Sequence, residues 1–145
     1  MRASSFFRTF NVGLQAGFQL ASAVWDSMAR HGGGAIVFVS SRSGIEGFAD
    51  ESAYCAAKHA LEGLAKSLAM EGEALGITVN TVTPGMFMKT PMSDRNYSEE
   101  LKQKWVEPDL LAPAFTLLAE QRLRHQNGLR LDAWQLSQDQ ELVAG

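Results

Sequence analysis

Gly34-Ala35-Ile36-Val37-Phe38-Val39-Ser40-Ser41 decides how this chain folds. A short, unbroken apolar run rich in β-branched residues predicts a strand buried on both faces. The small polar stretch after it, Ser40 to Asp50 with Gly44 and Gly47, predicts a loop. Upstream, Phe7, Phe10, Leu14, Phe18, Ala21, Val24, Trp25 and Met28 recur at helical spacing, so residues 5–30 read as a helix stopped by His31-Gly32-Gly33. Downstream, residues 51–75 read as a second helix, with Asp50 or Ser52 as N-cap and Gly76 as C-terminal cap. Ile77 to Val82 is the next strand, ended by Pro84-Gly85.

Residues 86–106 have no clean period and read as a long loop carrying one short helix. Pro108 and Pro113 bracket the entry to a helix reaching Leu123. Asn127-Gly128 turns the chain into a last strand, Leu129 to Leu136, and 136–145 reads as a loose tail. Alternating helices and buried strands predict an α/β fold: a parallel sheet of about three strands with flanking helices, in one domain spanning 1–145. Ligands of such sheets bind beyond the carboxyl ends of the strands, here the loops 40–47 and 83–90.

Composition narrows the function. The 145 residues are 46% hydrophobic and 20% charged, with a net charge of −3. Lys and Arg form no run, which argues against nucleic acid or an anionic membrane as partner. Cys55 is the one cysteine, so no intrachain disulfide forms, and a reduced, cytoplasmic location is expected. His31, His59 and His125 lack metal-ligand spacing, and no metal is expected. Arg2, the apolar stretch 6–20 and Ala21-Ser22-Ala23 mimic a secretory signal, but Arg8, Asn11, Gln15 and Gln19 interrupt it. Trp25, Trp105 and Trp134 are expected in the core or an interface. Cys55 has no base placed to activate it and is expected to pack.

The chemistry-bearing residues cluster at the ligand edge. Tyr54 and Lys58 stand at i and i+4 on one helix face. A phenol ordinarily ionises near pH ~10, and an adjacent ammonium is expected to lower that value. Such a phenol acts as acid or base, and Ser41 can hydrogen-bond an oxygen that gains charge during reaction.

Ser41, Tyr54-x-x-x-Lys58 and Asn80-x-x-x-Pro84-Gly85, framed by Gly34–Ser41 and Gly76–Asn80, resemble the short-chain dehydrogenase/reductase family over roughly residues 8–134. The resemblance implies a partial Rossmann-type, doubly wound sheet and an NAD(P)-dependent oxidoreductase interconverting an alcohol and a carbonyl. Tyr54 would be the acid/base. Lys58 would tune it and hold the nicotinamide ribose. Ser41 would bind the substrate oxygen, and Asn11 would interrupt its helix and hold a relay water. Pro84 and Gly85 would pass beside the nicotinamide, Phe87 would meet its carboxamide, and Thr90 the pyrophosphate. Met86, Phe87, Met88 and Met92 would form a lid over substrate. Helices 5–30 and 51–75 would pair with a second copy in a four-helix dimer interface.

One feature of the family is missing. Its Gly-rich phosphate-binding turn, G-x-x-x-G-x-G after a first strand, has no counterpart. Gly13-x-x-x-Gly17 lies inside a helix and reads as packing. The chain therefore reads as a truncated catalytic half. The alternatives are an inactive fragment that dimerises or binds partners, and a half that needs a separate chain for its nucleotide site. NAD and NADP cannot be distinguished from these residues.

Overall fold

A computed structural model describes residues 3–121, 123–139 and 141. The elements run α1 (Ala3–Phe10), a π-helical turn (Asn11–Gln15), α2 (Ala16–Arg30), β1 (Gly34–Val39), α3 (Ser52–Gly72), β2 (Ile77–Thr83), α4 (Pro91–Asn96), α5 (Glu99–Lys102), α6 (Ala112–Ala119), β3 (Arg130–Asp132) and α7 (Ala133–Gln138). Short 3-10 turns cover Arg42–Gly44, Glu73–Leu75 and Pro108–Leu111.

The three strands form one parallel sheet in the order β1-β2-β3. Strand alternation sends successive side chains to opposite faces. Ile36, Phe38, Ile77 and Val79 pack with Ala21, Leu61, Ala65 and Leu68 of α2 and α3. Val37, Val82 and Leu131 pack with Ala114, Leu117 and Leu118 of α6 and Ala133 of α7. The central strand β2 is therefore closed on both faces, with Val79 0% and Val82 1% exposed. Trp25 joins the first of these clusters and Trp134 the second. No described helix is long and apolar enough to cross a membrane.

Several boundaries differ from the sequence expectation. The helix over 5–30 is broken by the π turn, where the Ala16 N–H reaches back to the Asn11 carbonyl. The first strand is not buried on both faces. It is a sheet edge, only Phe38 is fully buried, and Val39 is 49% exposed. Neither Asp50 nor Ser52 is the N-cap of α3. Glu51 holds that position, and its carboxylate accepts instead from Ser43 Oγ at 2.9 Å. The long loop carries two short helices, α4 and α5. It is pinned at its neck, where Lys89 N donates to the Val106 carbonyl at 2.9 Å and Val106 N to the Phe87 carbonyl at 2.8 Å.

The helix after Pro113 ends at Ala119, short of Leu123. The last strand is only Arg130–Asp132. Asp132 stops it by accepting from Gln135 N at 3.0 Å as the N-cap of α7. The start of the supposed tail is likewise ordered: Leu136 packs on the core, and Ser137 Oγ accepts from Ala114 N at 3.1 Å. Residues 140 and 142–145 lie outside the described residues.

Gly76, before β2, has φ +72, and a Cβ there would lie 2.8 Å from the Gly32 carbonyl oxygen. Both the left-handed backbone and the close approach demand glycine. Gly76→Ala is expected to lower stability by about 1–3 kcal/mol, read as a lower urea midpoint with unchanged slope.

Candidate active site

The Ser40 N–H extends the β1–β2 ladder one step, donating to the Val82 carbonyl at 2.7 Å. Ser41 thereby leaves the sheet at its carboxyl edge. Its Oγ accepts from Ser43 N at 3.2 Å and caps the Arg42–Gly44 turn. Tyr54 stands in the first turn of α3, near enough to Ser41 for that hydroxyl to pull the phenol's pKa down. One turn on, Lys58 Nζ lies over the Tyr54 ring, 5.5 Å from its centroid, and donates to the Val39 carbonyl at 2.7 Å. The Tyr54 and Lys58 side chains therefore share one helix face, and Ser41 stands beside the phenol but is not one of the residues lining the cleft next to it.

A cleft of about 650 Å³ opens beside this rim. Tyr54, Ala57, Lys58 and Leu61 form one wall, Val37, Phe38 and Val39 the floor, and Arg8, Thr9, Val12, Gly13 and Gly17 the other wall. Asn11 begins the π turn between these last residues, as a helix interruption requires, but it is exposed and is not one of the residues lining the cleft. Such turns insert a residue into a helix and often occur at functional sites.

The electrostatics depart from the expectation of a lowered phenol. Burial pushes the Tyr54 phenol above its ordinary value, against the pull of the Ser41 hydrogen bond, and the nearby Glu51 carboxylate adds to the rise. Burial likewise holds the Lys58 ammonium below its ordinary value, with the Glu62 carboxylate opposing. Desolvation of the two side chains outweighs the helix-face pairing that the sequence suggested.

Beyond β2, Gly85 has φ +77, and any Cβ there would run into the Asp132 carboxylate. Glycine therefore lets the Pro84-Gly85 turn pass tightly across the end of β3. Phe87 stacks edge-on against Tyr97 at 5.6 Å between centroids. Thr90 is occupied as the N-cap of α4, with Oγ1 accepting from Ser93 N at 3.1 Å. The lid methionines divide: Met88 packs against the core, while Met86 and Met92 are exposed.

Sequence reasoning missed Glu62, Arg130 and Tyr97. Glu62 continues the Tyr54–Lys58 spacing by one more turn, a signal that could have been read. Tyr97 lies near enough to raise the Tyr54 phenol, but nothing in its local sequence marks it. Arg130 reaches the site only through the pairing of β3 with β2.

A family model described as short chain dehydrogenase matches residues 1–101. The chain belongs to the short-chain dehydrogenase family. Among curated members, it is 33% identical to an acetoacetyl-CoA reductase of Allochromatium vinosum, with 90% of this chain and 56% of that protein covered. It is 34% identical to a 3-oxoacyl-acyl-carrier-protein reductase of Rickettsia conorii, over 88% of this chain and 56% of the relative. The chain thus spans little more than half the length of those relatives. Among solved structures, an acetoin dehydrogenase from Enterobacter cloacae aligns with a TM-score of 0.77 and 28% identity, covering 97% of this chain and 59% of the other. A 4-hydroxyisoleucine dehydrogenase mutant complexed with NADH and succinate aligns with a TM-score of 0.82 and 26% identity, covering 90% and 58%.

The raised phenol has a consequence for stability. Above the ordinary phenol value near pH ~10, the unfolded chain loses this proton while the folded chain retains it, so folding stability falls as pH rises through that window. Denaturant titrations at increasing alkaline pH are expected to show a steeper loss for the parent than for Tyr54→Phe. Equal losses would contradict burial as the cause of the shift.

Proposed function

We propose that this chain carries the proton-transfer half of an NAD(P)-dependent interconversion of an alcohol and a carbonyl. The observation that supports this reading is that Tyr54 and Lys58 line one cleft together, with the Ser41 hydroxyl near enough to the Tyr54 phenol to pull its pKa down. In the reducing direction the Tyr54 phenol gives its proton to the carbonyl oxygen, and the Ser41 hydroxyl donates a hydrogen bond to the same oxygen as charge develops. Lys58 replaces the phenolate's lost proton with a nearby positive charge.

The cleft suits the nicotinamide-riboside end of the cofactor. Its floor of Val37, Phe38 and Val39 is apolar, and Lys58 at the rim offers donors to sugar hydroxyls. Pro84, Gly85 and Phe87 would border the ring. Bound there, the nicotinamide supplies or accepts hydride at the carbon next to the substrate oxygen. For the pyrophosphate, Thr90 is already used as a helix cap, and no strand among the described residues leads into a Gly-rich turn. Asn11 would hold a water that relays protons toward Lys58. Met86 and Met92 would close over a small carbonyl substrate, and the reductase relatives suggest a 3-oxoacyl thioester.

A second reading rests on the sheet edge. Among the described residues β1 has a strand on one side only, and an unpaired edge is usually covered. A separate polypeptide could add a parallel strand there and bring the missing phosphate-binding turn. Without it, the chain would serve as a dimerising module in the cytoplasm. Phe7, Phe18 and Leu20, exposed along residues 5–30, and Met70 on the second helix would then meet a second copy.

Titration with NADH and NADPH separates these readings. Saturable binding by the chain alone, with turnover of acetoacetyl-CoA, is expected for the enzyme, and Tyr54→Phe should lower kcat by roughly 10²–10⁴-fold. A Tyr54→Phe chain as fast as the parent would remove the acid/base role. Binding only after a Gly-rich partner polypeptide is added would favour complementation, and none in either case the dimerising module.

A further inference from the structure

Behind the cleft, one carboxylate meets residues from β2, from β3 and from just past the end of β1. Glu62, on α3 one turn past Lys58, is 7% exposed. Its Oε1 accepts a short hydrogen bond from Ser40 Oγ, just past the end of β1. Its Oε2 accepts from Thr81 Oγ1 of β2 at 2.7 Å. Arg130 of β3 places Nε 3.2 Å from Oε1, an ion pair not aimed as a hydrogen bond. The same guanidinium reaches past the carboxylate, and its Nη2 donates to the Ser41 carbonyl at 2.9 Å. Gly44 leaves room for this arrangement, since a Cβ there would lie 2.7 Å from Ser40 Oγ and 3.2 Å from Glu62 Oε1.

We infer that Glu62 and Arg130 are positioning residues that hold the Ser40–Ser41 backbone so that the Ser41 hydroxyl meets the Tyr54 phenol. A buried ion pair is a poor way to add stability alone, because desolvation of both charges offsets their attraction and apolar replacements often do as well. What the pair supplies is direction. It fixes Ser40 by its side chain and Ser41 by its carbonyl, while the Ser41 hydroxyl is oriented by the turn it caps through Ser43 N. Groups held from behind in this way keep a reacting constellation within the narrow tolerance it needs. The inference rests on Ser41 and Tyr54 being the reacting pair, but its test reads the phenol directly and not turnover.

The chain has two tyrosines, so Tyr97→Phe leaves Tyr54 alone. Ortho-fluorotyrosine incorporated into that background gives one fluorine resonance, and the fluorine makes the phenol more acidic, so ionisation can be followed while the chain stays folded. Loss of the clamp lets the Ser40–Ser41 backbone shift and draws the Ser41 hydroxyl away from the phenol, whose ionised form it favours. Arg130→Met is therefore expected to lower the phenolate fraction at a fixed alkaline pH roughly threefold or more. Arg130→Lys should recover part of the loss. In a Ser41→Ala background, Arg130→Met should change nothing further, because the interaction it supports is already gone.

An unchanged resonance in Arg130→Met, or an equal effect with and without Ser41, overturns the inference. If Arg130→Met strands the Glu62 charge and unfolds the chain, Glu62→Gln/Arg130→Met removes both charges and is read against the same outcomes. A chain with no turnover but with this coupling would refute the oxidoreductase reading and leave the clamp standing.

Discussion

The parallel register of β1 on β2 sets everything functional in this chain. Gly34 pairs with Ile77 and Val39 with Val82, without a bulge. Because the two strands finish level, Ser40 and Ser41 emerge just where α3 begins its first turn. A slip of one residue would turn Ile36 and Phe38 away from α2 and α3 and reverse which of Ser40 and Ser41 faces Glu62. The register is secured from both sides, since Ile36 and Phe38 are needed by one helical layer and Val37 by the other. Core packing and site geometry are thus the same constraint.

The second determinant is α3, which does two jobs along one broad face. Leu61, Ala65 and Leu68 bury it against the sheet. Tyr54, Lys58 and Glu62 then follow at successive turns near the strand ends. Small residues allow this, because Ala57 at 1% exposure lets the cleft wall come close to Gly13. The helix starts with its Glu51 side chain committed to Ser43, so the loop between strand and helix is tied at the helix entrance as well as at Ser41.

Much of this was legible in the sequence, and the failures have physical causes. Two of the strands, the two long helices and the Ser41–Tyr54–Lys58 grouping follow from local periodicity and spacing. β1 was misjudged as buried because an apolar run records composition, not the number of neighbouring strands. The last strand was drawn too long because Leu129 to Leu136 suits either period, and Asp132 decides the matter by capping a helix. The phenol is raised where its spacing predicts a lowered value, because an i,i+4 ammonium is visible in sequence whereas desolvation is not. Glu62 could have been found on the helical repeat. Its partner could not, since Arg130 meets it only through tertiary pairing.

The neck between Phe87–Lys89 and Val106 is pinned. Residues between the pins, with α4 and α5, close on themselves through Thr90 and Ser93, Ser98 and Leu101, and the Lys102 pairs with Asp94 and Glu99. A segment tied to itself in this way keeps its fold locally, and the Met88–Val106 pairing bridges its neck. The internal ties of this excursion let it hold its own shape, while Tyr97 within it still reaches the neighbourhood of the Tyr54 phenol.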